Sequence, residues 1–157
     1  MTGHIQGSQT TETRRDAVTI LVVDDDRVDV RAIRRSLRKA GMANPVVSVS
    51  NGLEALGVLR GERPDVSVDP RRTLVLLDLN MPRMNGIEFL EELRGDPELE
   101  ATPVLVHTTS EAPEDRAAVA RFSVVGYVPK VGPGRGGDAT ERIRAFLESV
   151  TDSPRPH

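Results

Sequence analysis

Four short segments hold the side chains that could do chemistry. Asp24-Asp25-Asp26 follows the apolar run Ile20-Leu21-Val22-Val23, and Asp78 follows Leu74-Val75-Leu76-Leu77. Thr108 and Thr109 come just after Val104-Leu105-Val106, and Lys130 closes the stretch that begins at Val124. If the first and third of these runs are neighbouring strands, their terminal carboxylates converge. Converging carboxylates repel and raise one another's pKa unless a cation joins them. An all-oxygen donor set suits a hard divalent ion, Mg²⁺ above all. Such an ion keeps waters and completes its shell with a phosphate oxygen. A lysine at a nearby strand end could hold the same phosphate, and a threonine hydroxyl could donate to another of its oxygens. In that arrangement Asp78 is a nucleophile that attacks phosphorus and becomes an acyl phosphate, with the metal neutralising charge on the transferring group. Taken singly, each residue has a plainer reading. A strand-terminal Asp often shapes a turn, and a lone lysine is usually a solvated charge. The specificity lies in the combination.

The elements that must position these residues alternate. After the first strand, Val30, Ile33 and Leu37 fall at helical spacing, and Gly41 stops that helix. Val46 to Val49 forms a weaker second strand, Asn51-Gly52 ends it, and Leu53, Leu56 and Leu59 open a second helix. Arg60 to Thr73 is a polar, proline-containing loop before the third strand. Ile87, Leu90 and Leu93 space a third helix that stops near Gly95. A fourth helix follows from about Pro113 to Arg121, with proline in its first turn. Val124 to Val128 is the fifth strand, and Asp138 is placed to N-cap a last helix with Ile143, Phe146, Leu147 and Val150. Five strand-helix repeats predict a parallel sheet covered by helices on both faces. Ligands of such sheets sit beyond the carboxyl ends of the strands, near a topological switch point. That rule selects the same aspartates, threonines and lysine.

Composition narrows the function. The 157 residues suit one domain. The formal net charge of −3 gives no basic balance for nucleic acid. Cysteine is absent, which excludes disulfides, thiolate metal sites and thiol nucleophiles. No apolar run approaches the ~18 residues of a membrane span, and MTGHIQGSQTTETRRD has no apolar signal region. The expectation is a soluble cytoplasmic protein that contacts neither membrane nor nucleic acid. Residues 1–17 and 151–157 are read as flexible tails around an ordered unit at 18–150.

The runs ILVVDDD, LVLLDLNMPRMNGIEFLEELR, PVLVHTTS and GYVPK resemble the receiver domain of two-component response regulators. DLNMPRMNG is the most specific of them. The resemblance covers roughly residues 18 to 150. The TTS stretch, the DLN triplet and the long loop before the third strand are similar to stand-alone, single-domain regulators, including those paired with bacterial phytochromes. The resemblance implies a flavodoxin-like α/β fold: five parallel strands in the order 2-1-3-4-5, with five helices. It implies that Asp78 is the phosphoacceptor, Asp25 a direct metal ligand and Asp24 a ligand through water. It implies that Asn80 offers its main-chain carbonyl to Mg²⁺ and its side chain to the water path. Asp26 is not among the implied ligands. Thr108 is implied as the switch hydroxyl, Lys130 as the phosphate-binding lysine and Tyr127 as the aromatic that follows the state. Pro82 and Gly86 fit the tight turn after the third strand. The implied partners are a sensor histidine kinase, a bacteriophytochrome among the candidates, or a phosphotransfer protein. A homodimer through the fourth helix, fifth strand and fifth helix is a further possibility, with Phe122, Val124 and Val125 as contacts or as plain packing.

The match has one clear departure. The family usually places proline directly after the lysine, whereas here Val131 follows Lys130 and Pro129 precedes it. A cis bond before valine would cost ~2.5–4 kcal/mol, so either that strain or a rearranged trans loop is expected. Pro129 removes a ladder donor, which suits an edge strand. Gly132-Pro133-Gly134-Arg135-Gly136-Gly137 matches GxGxxG, but no strand follows it and Pro133 has no N–H for phosphate. It is read as a loop. Arg31, Arg34, Arg35, Arg38 and Lys39 form either a solvated helix face or a docking face for the kinase. His107 is read as a packing residue beside Thr108 or as one that tunes the site with pH.

Three functions compete. The first is a phosphorylation-dependent switch acting through protein contacts, since the few residues after the last helix leave no room for a DNA-binding effector. The second is an Asp-nucleophile phosphohydrolase. It is disfavoured because Asn80 stands where such enzymes carry their general acid, so no enzyme is expected. The third is a pseudo-receiver, an interaction module without phosphorylation.

Overall fold

The computed structural model describes residues 18–130 and 136–152. Strands β1 (Thr19–Val23), β2 (Val46–Val49), β3 (Thr73–Leu77), β4 (Val104–Thr108) and β5 (Gly126–Pro129) form one sheet in the order 2-1-3-4-5, all parallel. Helices α1 (Arg27–Lys39), α2 (Gly52–Leu59), α3 (Gly86–Gly95), α4 (Pro113–Ala120) and α5 (Gly136–Asp152) connect and complete it. β3 and β4 are buried at every position and β1 at all but its first. This is why these strands are continuous Val/Leu/Ile runs without alternation: a parallel sheet covered on both faces needs apolar side chains on both.

Alternate strand residues feed two separate cores. Leu21, Val23, Val75, Leu77, Val104 and Val106 pack with Leu56, Phe89, Leu90, Leu93 and Val119 of α2, α3 and α4. Ile20, Val22, Leu74, Leu76, Leu105 and Val128 pack on the other face with Ile33, Leu37, Ile143 and Leu147 of α1 and α5. Side chains capture free N–H groups at the starts of α1, α2 and α3. Asp26 accepts from Val28 N at 2.9 Å and from Asp29 N at 3.4 Å to start α1. Asn85 and Glu88 form a reciprocal capping box on α3. Arg94, near the end of α3, donates to three carbonyls: Phe122 at 2.8 Å, Glu100 at 2.9 Å and Thr102 at 2.7 Å. It ties down the chain where it enters β4 and where it approaches β5.

The strand order and five-helix architecture agree with expectation, and β5 is an edge strand. Several boundaries shift. β5 begins at Gly126 rather than Val124, because Ser123 adopts φ 54° and turns the chain there. Thr73 opens β3 after a short 3₁₀ turn at Pro70–Arg72, which Asp69 caps. Asp138 lies inside the first turn of α5 rather than ahead of it, and that helix runs through Asp152, two residues past the expected limit. The tail at 1–17, residues 153–157 and the loop at 131–135 with most of the glycine run lie outside the described residues, as does the geometry of the Lys130–Val131 peptide. No helix among the described residues is long and apolar enough to cross a membrane.

Candidate functional site

The site forms where β1 and β3 part company, the switch point of the sheet. Val23 and Leu77 are in register. The aspartates that follow are therefore side by side, and Asp78 N donates to Val23 O at 2.9 Å. Asp24, Asp25 and Asp78 each offer a carboxylate oxygen, all within 4.8 Å of one another. Asp24 and Asp78 are buried and Asp25 is exposed. Three hard oxygen donors around an open side fit a small divalent cation that keeps part of its water. Asp26 is turned away as the cap of α1.

Lys130 reaches this cluster from the far edge of the sheet. Thr108 and Pro129 are register partners, and Lys130 N donates to Thr108 O at 2.8 Å. The Lys130 side chain then runs back beneath the surface. Its Nζ lies 2.7 Å from Asp24 Oδ2, 2.9 Å from Asp29 Oδ2 and 3.3 Å from Asp78 Oδ2. All four side chains are buried. Burial pushes the Asp24 carboxyl up to about 6, against the pull of Lys130. Burial also works against the Lys130 charge, but Asp24 and Asp29 outweigh it and hold the ammonium above its ordinary value.

Asp29 was not among the residues singled out from the sequence. Its signal is present nonetheless. Asp29, Ile33 and Leu37 recur every four residues along α1, and all three are buried. An acid on the buried stripe of an amphipathic helix calls for a partner.

The remaining candidates divide into two groups. Thr108 is fully buried at the end of β4, and its Oγ1 accepts from Ser110 N at 3.3 Å. Tyr127 is half-buried on β5, and its hydroxyl donates to Ser110 O at 2.9 Å. The Arg116 guanidinium lies 4.5 Å from the centre of the Tyr127 ring. Burial raises the Tyr127 hydroxyl above its ordinary value, while the Ser110 bond and Arg116 pull it down. Ser110 Oγ also donates to Asp115 at 2.5 Å. Thr108 and Tyr127 are therefore both hydrogen-bonded to Ser110. Asn80 is exposed, and its N–H donates to Asp78 Oδ1 at 3.2 Å. Thr109 is exposed, and His107 is buried within β4. Phe122 and Val124 pack against the core, whereas Val125 is 38% exposed. Of the basic residues on α1, Arg34 is drawn onto β2, bonding Val46 O and Ser48 Oγ, and the other five are exposed.

The fold and the site together define a doubly wound α/β protein with an acidic pocket closed by lysine at its switch point. Residues 20–135 match the response regulator receiver domain. The chain is 33% identical to the response regulator Rcp1 of Synechocystis sp. over 111 residues, 71% of this chain and 75% of that protein. It is 36% identical to MprA of Mycobacterium tuberculosis over 83% of this chain, and spans about half (51%) of that longer protein. The phosphorylated cyanobacterial phytochrome response regulator RcpA superposes with a TM-score of 0.74 at 31% identity, covering 88% of this chain and 98% of its own. Mn²⁺-bound Rcp1 superposes with a TM-score of 0.69 at 27% identity, over 88% and 99% of the two chains. This chain belongs to the response regulator receiver domain family. Proteins of this family act as signalling switches, hold Mg²⁺ or Mn²⁺ in an acidic pocket and interact with histidine kinases.

Proposed function

We propose that this chain accepts a phosphoryl group from a histidine kinase onto Asp78 and uses it to switch protein contacts. The observation that carries the reading is the Lys130 ammonium 3.3 Å from the buried Asp78 carboxylate, with Asp24 and Asp25 at its side. Asp24, Asp25, Asp78 and the Asn80 carbonyl would hold Mg²⁺, which supplies charge neutralisation on the transferring phosphoryl group. An Asp78 oxygen forms the bond to phosphorus as the P–N bond of the donor phosphohistidine breaks. The electron pair leaves with the imidazole, which takes a proton from solvent. Lys130 then donates to a phosphoryl oxygen. The Thr108 hydroxyl exchanges its contact with Ser110 for another phosphoryl oxygen. Because Tyr127 also bonds Ser110, that exchange is felt at β5 and biases the face made by α4, β5 and α5.

The similarity to Rcp1 and RcpA supports a phytochrome-class kinase as donor, protein partners or a second copy of this chain as output, and the cytoplasm as the setting. Asn80 has no acidic proton to assist repeated hydrolysis, which supports a switch rather than a turnover enzyme.

The test is intact mass after incubation with Mg²⁺ and acetyl phosphate, beside Asp78→Asn. One phosphoryl adduct is expected, absent without Mg²⁺ and absent in the variant. An adduct that persists in Asp78→Asn would place the acceptor elsewhere. No adduct together with no Mg²⁺ binding would favour the phosphorylation-independent interaction module.

A further inference from the structure

We infer that Asp29 is a positioning residue that competes with the phosphoryl group for Lys130, and so sets how tightly the pocket holds it. The inference rests on Asp78 being the acceptor. Asp29 differs from the other acids here in its origin and its availability. It comes from α1, not from a strand end, and it lies outside the trio able to share a cation. It is nevertheless nearer to Lys130 Nζ than Asp78 is, at 2.9 against 3.3 Å.

An ammonium has three N–H donors. Here they are taken by Asp24, Asp29 and Asp78. A cation bound by Asp24, Asp25 and Asp78 draws two of these acceptors toward itself, because their charge is then shared. Asp29 lies outside that trio and keeps its contact with the lysine. Phosphorylation of Asp78 adds new anionic oxygens, and Lys130 must turn a donor toward them. The buried carboxylate on α1 opposes that movement. Asp29 thus stabilises the unphosphorylated arrangement and links the first turn of α1 to the state of the acceptor.

The experiment measures binding of beryllofluoride, a phosphoryl mimic, at saturating Mg²⁺ for the wild type, Asp29→Asn, Lys130→Gln and the double variant. Asp29→Asn keeps shape and removes charge, and should bind about ten- to a hundredfold more tightly, the scale of one charge-assisted hydrogen bond. In the Lys130→Gln background the same change should have almost no effect, since the competition needs the ammonium. Unchanged or weaker binding by folded Asp29→Asn would overturn the inference. So would an equal gain in both backgrounds, which would mark a general charge effect. A wild-type chain that binds Mg²⁺ but not beryllofluoride would instead bring down the acceptor reading itself. A further readout needs no variant: beryllofluoride should move the Asp29 carboxyl ¹³C resonance beyond its position with Mg²⁺ alone. A resonance that stays in place refutes the competition.

Discussion

Gly86 stands so close to the acceptor segment that a Cβ there would lie 2.7 Å from the Asp78 carbonyl oxygen and 2.7 Å from Leu79 Cα. Gly86 N also donates to Leu79 O at 3.0 Å. The first residue of α3 is therefore pressed against the backbone that carries Asp78. Gly86→Ala should force these segments apart and cost about 1–3 kcal/mol, as overpacking of a buried contact does. It should also slow loading of Asp78, because the carboxylate shifts with its backbone. Urea unfolding and phosphorylation rate measured on one preparation check both, and a variant that matches wild type in each would show that the contact yields without consequence.

Lys130→Ala should destabilise the metal-free protein by about 3–5 kcal/mol, since it leaves buried carboxylates without their cation. Mg²⁺ should restore a larger share of stability in this variant than it adds to the wild type, because it replaces the missing positive charge. Thermal melts with chelator and with Mg²⁺ distinguish this from simple loss of packing, which Mg²⁺ would not repair.

Asp24 predicts a pH window. Its carboxyl is pushed up to about 6 in the folded chain, above the ordinary 3.8. Its protonated form is thus favoured by folding. The corresponding stability is fully present below about pH 3.8 and is lost as pH rises through about 6. A divalent ion favours the charged form instead. Mg²⁺ affinity should therefore fall as pH drops below about 6, and the Mg²⁺-induced rise in Tm should grow between pH 5 and 7. Isothermal titration across that interval should show the loss; flat affinity would mean that Asp24 stays charged throughout.

Tyr127 is the chain's single tyrosine, and there is no tryptophan. Its phenol can be titrated by absorbance without interference. Arg116 lies over its ring and favours the phenolate. Arg116→Ala should raise the Tyr127 pKa further above its already elevated position and cost about 0.5–1 kcal/mol of stability. Tyr127→Phe should cost about 1 kcal/mol through the lost bond to Ser110 O. A titration curve unchanged by Arg116→Ala would remove Arg116 from the account of this ring.

The architecture could be read from residues because a parallel sheet covered on both faces leaves unbroken apolar runs, and Val23-Asp24 and Leu77-Asp78 announce where those runs end. Strand order then brings their carboxylates together. Asp29 escapes because the apolar stripe and the basic face of the first helix both pass over a buried acid. The start of β5 escaped for a different reason. Val124 and Val125 have strand-like side chains, but the chain turns through a left-handed residue at Ser123, and Val124 packs on the core while Val125 is exposed. The meeting of Thr108 and Tyr127 at Ser110 depends on a loop whose shape no periodicity encodes.

Arg94 gives the edge of the sheet a mechanical character. Its three carbonyl contacts sit where β4 and β5 begin, whereas Thr108 closes β4 and Lys130 follows the last residue of β5. The two strands are cantilevers that share one anchored root and carry Thr108 and Lys130 at the opposite end. A displacement of those groups should therefore show at the outer rim of the sheet and leave the root in place.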